Sequence, residues 1–477
     1  MTDALPMKEL HDLQKTVLQA ITPRQNERKA TLNFVRKLER DLAAQLHSSG
    51  IEAEVGVQGS IAKDTWLAGE TDVDLFILLP PTRTKTDLID VLQTVKSFVG
   101  DRWIEAYAEH PYLIAEVEGY QVDFVPGFKI ENAANAISSV DRSPLHTAYM
   151  TQHLTPSIRN EVRLFKQFSR GTGTYGAEIK VKGLSGYLCE LLILHYQSFL
   201  TTLRAVASWK VGQLIDVGQR PRGQNTQVKH MFNDHLIVID PVDPKRNVAS
   251  AVSVEKLGQL MLAANFFLLS PTRSYFFPAP TIPSSPNVLK DQLKKLPYDV
   301  LFLAVPIQIR PPDVLWGQIY KTARALKKLL LKNDFQVIRS GTWSNETDTV
   351  ILIYVLETTT IPMSKLHRGP PIDSMEAIPF IQKYARADKT ELGSWIEDGR
   401  WVVKIKRQHP DAIFLLHNHL QSGSKNIGVA RGLTANLQQA QLHTNQEILP
   451  LYSMHEDFAR FFTEFLFGRP KWMQSTL

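Results

Sequence analysis

The chain has 477 residues, of which 43% are hydrophobic and 21% are charged, and its formal net charge is +6. This balance is typical of a globular protein and excludes a disordered or fibrous chain, while the length allows about three domains. No apolar run reaches the roughly 18 residues of a membrane-spanning helix, and the charged beginning MTDALPMKELHDLQ lacks a signal-sequence core. We therefore expect a cytoplasmic protein without a membrane segment. The single cysteine, Cys189, cannot form an internal disulfide and fits that location.

The first 150 residues predict a domain that mixes helix and strand. Residues 8–47 carry apolar residues at helical spacing in two stretches, KELHDLQKTVLQAI and RKATLNFVRKLERDLAAQL. Four strand-like runs follow: EAEVGVQG, DVDLFILLP, YLIAEVEG and YQVDFVPGF. The last two are joined by Glu118-Gly119-Tyr120, which predicts a tight connection between antiparallel strands.

The rest of the chain predicts a helical part and then an α+β part. NEVRLFKQFSR and SGYLCELLILHYQSFLTTLRAVASW show amphipathic helical spacing, and the proline- and serine-rich stretch at 270–286 is the best linker candidate. Strands are predicted at DVLFLAVPIQI, FQVIRSGTW and TVILIYVLET, with a long basic helix at WGQIYKTARALKKLLLKND. We expect an α+β multidomain protein with domains at 1–150, 151–265 and 266–477.

Two aspartates open the hydrophobic run DVDLFILLP. Strand alternation puts Asp72 and Asp74 on one face, while Val73 and Leu75 point into the core. Asp123, in YQVDFVP, has a similar position on a later strand, so three carboxylates converge if these strands are neighbours. Unpaired carboxylates would repel one another and their pKa values would rise. Divalent metal ions, which favour oxygen ligands, are the simplest compensation, and two of them would suit phosphoryl transfer.

The pair Gly59-Ser60 is expected to end the strand VGVQG and to open a segment that carries Lys63. Glycine permits close backbone approach, Ser60 offers a hydroxyl, and the amides of the segment can face an anion. Lys63 would add a positive charge for a triphosphate, although no GxxxxGK[ST] motif is present. Gly-Ser alone usually marks a turn and Asp-x-Asp a strand edge. Their order here, with a further aspartate on a later strand, is much more specific.

These residues resemble the nucleotidyltransferase superfamily that includes DNA polymerase β and the poly(A) polymerases. Longer stretches resemble archaeal-type, class I CCA-adding enzymes over about residues 30–260, and FQVIRSGTW, IEDGRWVV and GSKNIGVARG extend the resemblance. It implies a polymerase β-like catalytic domain, a mostly helical central domain that completes the nucleotide site, and an α+β C-terminal region that binds tRNA. The stretches that carry it are GSIAKDTWLAGETDVDLFILLP, YAEHPYLIAEVEGYQVDFVPGFKI, SSVDRSPLH, TYGAEIKVKGLSGYLCELLI and DPVDPKRNVA.

The resemblance implies an enzyme that adds or repairs the 3′-terminal CCA of tRNA from CTP and ATP without a nucleic-acid template. It also implies release of pyrophosphate, a requirement for Mg²⁺, and a homodimer, which is common in the family. Asp72, Asp74 and Asp123 would be catalytic and hold the metal. Many relatives carry arginine at Lys63 and glutamate at Asp72; both differences keep the charge, but lysine lacks the bidentate geometry of arginine. The implied nucleotide-binding residues are Ser60, Lys63, His110, His146, Lys166, Tyr175, Ser185 and Arg246.

Several of these residues also have an ordinary structural interpretation. His110 and His146 can be packed histidines, Tyr175 a core residue, and Ser185 the cap of the helix that starts at Gly186. Lys166 belongs to a basic helix face whose ordinary interpretation is a solvent-exposed helix surface. The other basic residues of that face, which the resemblance leaves as possible RNA contacts, are Arg159, Arg163 and Arg170.

Arg246 is implied to read the edge of the incoming base, where the alternative is a surface loop with an aspartate partner. Arginine only donates hydrogen bonds. Cytosine N3 and adenine N1 are acceptors, whereas uracil N3 and guanine N1 carry protons. A fixed donor therefore accepts C and A and excludes U and G, because donors that face each other stay unpaired. It cannot order C before A.

Two other functions are compatible with the same residues. A poly(A) polymerase or oligoadenylate synthase-like enzyme shares the Gly-Ser and aspartate core, but it would use ATP alone and extend without stopping. A non-catalytic RNA-binding relative would have no need of the three aspartates. Because RNA helices are recognised by shape and backbone, a basic helix face is the expected tRNA contact, with Arg339 a weaker candidate. That face consists of Lys321, Arg324, Lys327, Lys328 and Lys332.

Overall fold

The computed structural model describes residues 7–107, 110–218, 231–424 and 426–473. The chain forms two compact units, Met1–Pro280 with Arg469–Leu477, and Thr281–Gly468. Their boundary falls within the proline- and serine-rich stretch at 270–286. In the described part of the chain, no helix is long and apolar enough to cross a membrane. The three-part division at residues 150 and 265 stays a prediction.

The first unit begins with the two predicted helices, α1 (Met7–Ile21) and α2 (Gln25–Ser48). Phe34, Leu38 and Leu42 recur at helical spacing on α2 and are buried in one hydrophobic cluster with the inner residues of the strands that follow. The helical pattern therefore gives α2 the face that covers the sheet.

A five-stranded sheet carries the three aspartates. Its strands are β1 (Glu54–Val57), β2 (Asp72–Leu79), β3 (Trp103–Tyr107), β4 (Pro111–Val117) and β5 (Tyr120–Phe128), in the order β1-β2-β5-β4-β3. β2 and β5 are parallel and the other pairs are antiparallel. The helices α3 (Gly59–Lys63) and α4 (Asp87–Val99) lie between strands. Glu118 and Gly119, both at positive φ, form the predicted tight turn.

The helical part of the first unit contains α5 (Ser143–His153), α6 (Pro156–Gly171), α7 (Gly186–Tyr196), α8 (Phe199–Ser208) and the helix Val254–Leu269. The predicted amphipathic run around 185–209 is two helices, because Gln197 at φ 69° ends α7 and Ser198 caps α8. The amphipathic interpretation is wrong for α7, whose residues 188–193 are all buried. A short parallel pair, β6 (Gln213–Asp216) and β7 (Leu236–Ile239), was not predicted.

The second unit confirms the predicted strands and the long helix Pro312–Lys332. β8 (Asp299–Pro306), β9 (Val337–Ser344) and β10 (Thr349–Leu356) form an antiparallel sheet with a late strand. β11 (Ser364–Pro371), β12 (Thr390–Glu397) and β13 (Arg400–Lys406) form a second sheet, and β14 (Gln441–Thr444) is the late strand beside β8. The remaining α-helices are Pro286–Lys295, Ala377–Ala385, Ala412–Gln421, Thr434–Gln438, Leu449–Met454 and Glu456–Phe467.

Candidate active site

A cavity of about 390 Å³ in the first unit is lined by residues of α3, β2, α5, α6 and α7. The sheet domain and the helices after it thus both form its wall. Seven of the residues predicted for the site line this cavity: Ser60, Lys63, Asp72, Asp74, His146, Lys166 and Tyr175.

The three aspartates share one edge of the sheet. Asp72 and Asp74 lie on one side of β2, while Val73 and Leu75 are buried as predicted. Asp74 is directly opposite Asp123 in the parallel register of β2 and β5. Burial raises the pKa of Asp74, and burial together with Asp74 and Asp72 raises the pKa of Asp123 to about 7. Negative charge therefore accumulates at this edge without full compensation.

Asp123 is the clearest example of a carboxylate at this edge that lacks a compensating partner. Its buried Oδ1 has no hydrogen-bond partner among the described residues. The described part of the chain contains no group of three His, Cys, Asp or Glu side chains already close enough together to hold a metal ion. The register of β2 and β5 nevertheless places Asp123 opposite Asp74.

Gly59 allows the chain to pass close to Asp74. The expected strand end at Gly59-Ser60 is wrong, since β1 ends at Val57 and Gly59 begins α3. Gly59 has φ 67°, and a Cβ atom there would lie 1.8 Å from Asp74 Oδ2. Only glycine therefore lets the start of α3, with Ser60, lie against this carboxylate.

The end of α3 is fixed by a partly buried charge cluster. Asp64 adopts a left-handed conformation at φ 54° and ends the helix. Its Oδ1 lies 2.7 Å from Arg28 Nη1 and 2.6 Å from Arg163 Nη2. Arg163 is only 2% exposed, so the suggestion that it could contact RNA is wrong. It holds the turn after Lys63 instead.

The two predicted lysines meet one buried carboxylate. Glu190 on α7 accepts a hydrogen bond from Lys63 Nζ at 2.5 Å and lies 3.3 Å from Lys166 Nζ. Burial would raise the pKa of Glu190, but the charges of Lys63 and Lys166 and the hydrogen bonds from Lys63 and Thr65 together hold it below its usual range. Glu190 is therefore ionised, and the three side chains together carry one net positive charge at the wall of the cavity.

Asp240, like Glu190, is a buried carboxylate that contacts several side chains, an arrangement that we call a hub. The Asp240 hub connects two predicted residues. Its Oδ2 lies 2.9 Å from both His146 Nε2 and Arg246 Nη1, and its Oδ1 accepts a hydrogen bond from the Tyr187 hydroxyl at 3.1 Å. Burial would raise the pKa of Asp240, but the hydrogen bonds from His146, Val242 and Arg246 lower it to about 2. The hub fixes Arg246 while its side chain keeps 35% exposure.

Tyr175 lines the cavity beside Arg170 of α6. Its ring is 4.9 Å from the guanidinium of Arg170, which also forms an ion pair with Glu70. All three residues line the cavity. Burial raises the pKa of the Tyr175 hydroxyl, so it is protonated and can donate a hydrogen bond.

Four predicted residues do not line the cavity: Asp123, His110, Ser185 and Arg246. His110 precedes β4, with Nδ1 3.2 Å from the Pro111 carbonyl oxygen, and its buried Nε2 has no partner among the described residues. The Ser185 hydroxyl caps α7 by accepting a hydrogen bond from the Leu188 amide. Both arrangements match the ordinary structural interpretations of these two side chains.

Glu190, Asp240 and Tyr187 were not predicted, although they organise the site. A signal existed for two of them. Glu190 is the one acidic residue in the apolar run GYLCELLILHY, and Asp240 directly follows the apolar run LIVI. A charge in such a run is expensive to bury without a partner. The partners themselves come from distant parts of the sequence.

Three family models match successive parts of the chain. They are a nucleotidyltransferase domain at residues 35–146, the second domain of tRNA nucleotidyltransferase at residues 160–277, and the C-terminal domain of the CCA-adding enzyme at residues 296–438. The first covers the sheet with the three aspartates, and the second covers α6 and α7 with Lys166 and Glu190.

Relatives with a curated description match over most of their length. The chain is 35% identical to the CCA-adding enzyme of Pyrobaculum islandicum, with 89% of this chain and 96% of that protein covered. It is 36% identical to the CCA-adding enzyme of Methanosarcina barkeri, with 87% and 90% covered. A solved RNA terminal U-transferase is 17% identical at a TM-score of 0.45, over 57% of this chain and 99% of that one. From the identity and coverage of the curated relatives, the chain belongs to the CCA-adding enzyme family.

Proposed function

We propose that this cavity is the nucleotide site of a CCA tRNA nucleotidyltransferase, which adds or repairs the 3′-terminal CCA of tRNA from CTP and ATP. One observation carries the assignment of the site. Asp72 and Asp74 line the same cavity as Lys63 and Lys166. A polyanion could bind the lysines, but the two aspartates would repel it unless cations accompanied it. A nucleoside triphosphate with divalent metal ions meets both requirements.

The residues fit a divalent metal, and we propose Mg²⁺. Asp72, Asp74 and Asp123 would hold it, since hard cations bind carboxylate oxygens and Asp123 Oδ1 has no partner in the described part of the chain. When bound, a pair of such ions stabilises the attacking and leaving oxygens of a phosphoryl displacement.

The chemical step is an attack of the tRNA 3′-hydroxyl on the α-phosphorus of CTP or ATP, with pyrophosphate as the leaving group. Asp123, as a ligand of the metal beside that hydroxyl, would help the hydroxyl to lose its proton to water. Lys63 and Ser60 would bind the triphosphate, and the N–H groups of α3 would orient it. Positioning and charge stabilisation would supply most of the rate increase.

Base selection is assigned to Arg246. Asp240 holds Nη1, and the other side-chain N–H groups have no protein acceptor among the described residues. A donor fixed in this way suits the acceptors cytosine N3 and adenine N1 and rejects the protonated uracil N3 and guanine N1. His146 shares the same carboxylate and lines the cavity, which supports a role of Arg246 at the nucleotide site.

The tRNA partner is assigned to a basic surface. On the helix Pro312–Lys332, the basic residues Lys321, Arg324, Lys328 and Lys332 are exposed and Lys327 is half-buried. We further propose a cytoplasmic location, a possible homodimer, and the three-domain division at residues 150 and 265. The buried thiol of Cys189, whose pKa burial raises to about 12, fits a reducing compartment.

A primer-extension assay tests the function. Purified protein with Mg²⁺ receives a tRNA transcript that ends at the discriminator base, with CTP, ATP, UTP and GTP singly and together. We expect two additions from CTP alone and a third only when ATP is present. Long tails from ATP alone would indicate a poly(A) polymerase, and no extension would indicate an RNA-binding relative without catalysis.

A further inference from the structure

We propose that Glu190 is a positioning residue that holds Lys63 and Lys166 at the cavity wall for a nucleoside triphosphate. The inference rests on the proposed function of this cavity. Glu190 lies in the middle of α7 and is 0% exposed. A fully buried glutamate is rare unless it is paired, so its partners indicate what it is for.

Both carboxylate oxygens of Glu190 have partners. Oε2 accepts from Lys63 Nζ at 2.5 Å, and Oε1 accepts from the Thr65 hydroxyl at 2.6 Å and lies 3.3 Å from Lys166 Nζ. Lys63 is on α3, Lys166 is on α6, and Glu190 is on α7. The carboxylate therefore fastens the nucleotide segment of α3 to the helical part of the same unit.

The two lysines differ in the donors that they have left for a ligand. Lys166 Nζ has three acceptors: the Thr65 carbonyl oxygen at 3.2 Å, the Thr65 hydroxyl at 3.0 Å and Glu190. These use all three of its N–H groups. Lys63 has one acceptor among the described residues, so two of its N–H groups are available. Lys63 would bind a phosphate oxygen directly, while Lys166 would contribute its charge.

Removal of the carboxylate would leave the ammonium groups of Lys63 and Lys166, 5% and 2% exposed, without the carboxylate that both contact. Two buried charges of one sign repel, and a charge that loses its partner in the interior is strongly unfavourable. The lysines would then move apart or toward solvent. The loss expected from this geometry is in triphosphate affinity, because a fixed ammonium is worth more to a ligand than a mobile one.

The test measures CTP binding by equilibrium dialysis with Mg²⁺ and without RNA. We expect Glu190→Gln to raise the Kd and the KM for CTP at least tenfold, which corresponds to about 1.4 kcal/mol. The Kd for tRNA should stay unchanged, and Glu190→Asp should restore part of the CTP affinity. Glu161→Gln is the matched control: Glu161 lies on α6 and accepts from the Phe199 amide, outside the cavity lining.

A double-mutant cycle separates positioning from a general effect on folding. If Glu190 acts through the lysines, Glu190→Gln should raise the Kd by a clearly smaller factor in the Lys63→Met background than in wild type, because only Lys166 then remains for it to hold. Additive losses, or unchanged CTP affinity in folded Glu190→Gln, would overturn the inference. Unchanged affinity in Lys63→Met would instead overturn the proposed nucleotide site. Should Glu190→Gln not fold, Thr65→Val removes a hydroxyl from the same network; a several-fold weaker CTP affinity supports the inference, and wild-type affinity contradicts it.

Discussion

Asp74 and Asp123 lie directly opposite each other on the parallel strands β2 and β5, although they are far apart in the sequence. Parallel neighbours place equivalent positions side by side. The two carboxylates therefore share one edge of the sheet. The raised pKa of Asp74 follows mainly from burial, and that of Asp123 from burial and from repulsion by Asp74 and Asp72.

The first prediction concerns Asp123, whose replacement should abolish most catalysis. Loss of an outer partner of a metal ligand typically costs about 10–100-fold, and a direct ligand costs more. We expect Asp123→Ala to lower kcat by at least about 100-fold at saturating Mg²⁺, as measured by primer extension. Asp90→Asn, an exposed change on α4, should retain full activity. Activity of Asp123→Ala close to wild type would contradict the metal-site assignment.

The second prediction concerns pH and the metal-free protein. The pKa of Asp123 is about 7 in the folded chain and near 4 when unfolded, so between these values the folded state binds more protons. The contribution of Asp123 to the free energy of unfolding must then fall as pH rises from about 4 to about 7. With EDTA present, urea unfolding should show a larger loss between pH 5 and pH 7.5 in wild type than in Asp123→Asn. Equal pH dependence in the two proteins would contradict the prediction.

The third prediction concerns Gly59, where a methyl group would displace Asp74. Gly59→Ala should fold but lose at least about 100-fold in kcat/KM, because a small displacement of a reacting group is this costly. Gly69→Ala is a matched control, since Gly69 also has positive φ (80°) but no atom lies within 4 Å of the place its methyl group would take. Both changes cost about 1–2 kcal/mol of backbone strain, measured by thermal unfolding. An equal loss of kcat/KM in both variants would show that backbone strain, and not a clash with Asp74, causes the loss.

The aspartate edge was predictable because strand alternation is a local rule. Asp72, Asp74 and the buried Val73 follow from the two-residue period alone, and the structure confirms that arrangement. From the sequence, the convergence of the three carboxylates could be predicted only on the condition that β2 and β5 are neighbours. It depends on the topology of the whole sheet, which no local pattern specifies.

The partners of Glu190 and Asp240 could not be predicted from the sequence, for a different reason. Glu190 and Lys63 are 127 residues apart, and Asp240 and His146 are 94 apart. Local spacing carries no information on which distant cation a buried carboxylate will meet. The break in the helical run at Gln197 was missed because a left-handed residue that is not glycine gives no signal in the sequence.

The fourth prediction concerns base selection by Arg246. Arg246→Ala should lower the ratio of kcat/KM for CTP over UTP by at least about tenfold, since the site then lacks the donor that rejects a protonated ring nitrogen. Asp240→Asn should lower it by less, because the amide oxygen can still accept one hydrogen bond. Lys245→Ala removes a neighbouring exposed charge and should leave the ratio unchanged. An unaltered ratio in Arg246→Ala would remove this residue from the base-binding site.

The fifth prediction concerns the exposed basic face of the helix Pro312–Lys332. If Lys321 and Lys328 contact tRNA phosphates, the double change to alanine should weaken tRNA binding for every tRNA sequence alike. The slope of log K against log salt should also fall by about one for each lost contact. The matched control is Lys290→Ala/Lys294→Ala, which removes two exposed charges from another helix of the same unit.

The salt slope distinguishes contact from general attraction. Both double variants lower the net charge of the chain by two, so long-range attraction falls alike in both. Only a variant that removes phosphate contacts releases fewer counterions on binding, and only this changes the slope. A slope that falls equally in both variants, or in neither, would leave the Lys321 face as a solvated helix surface.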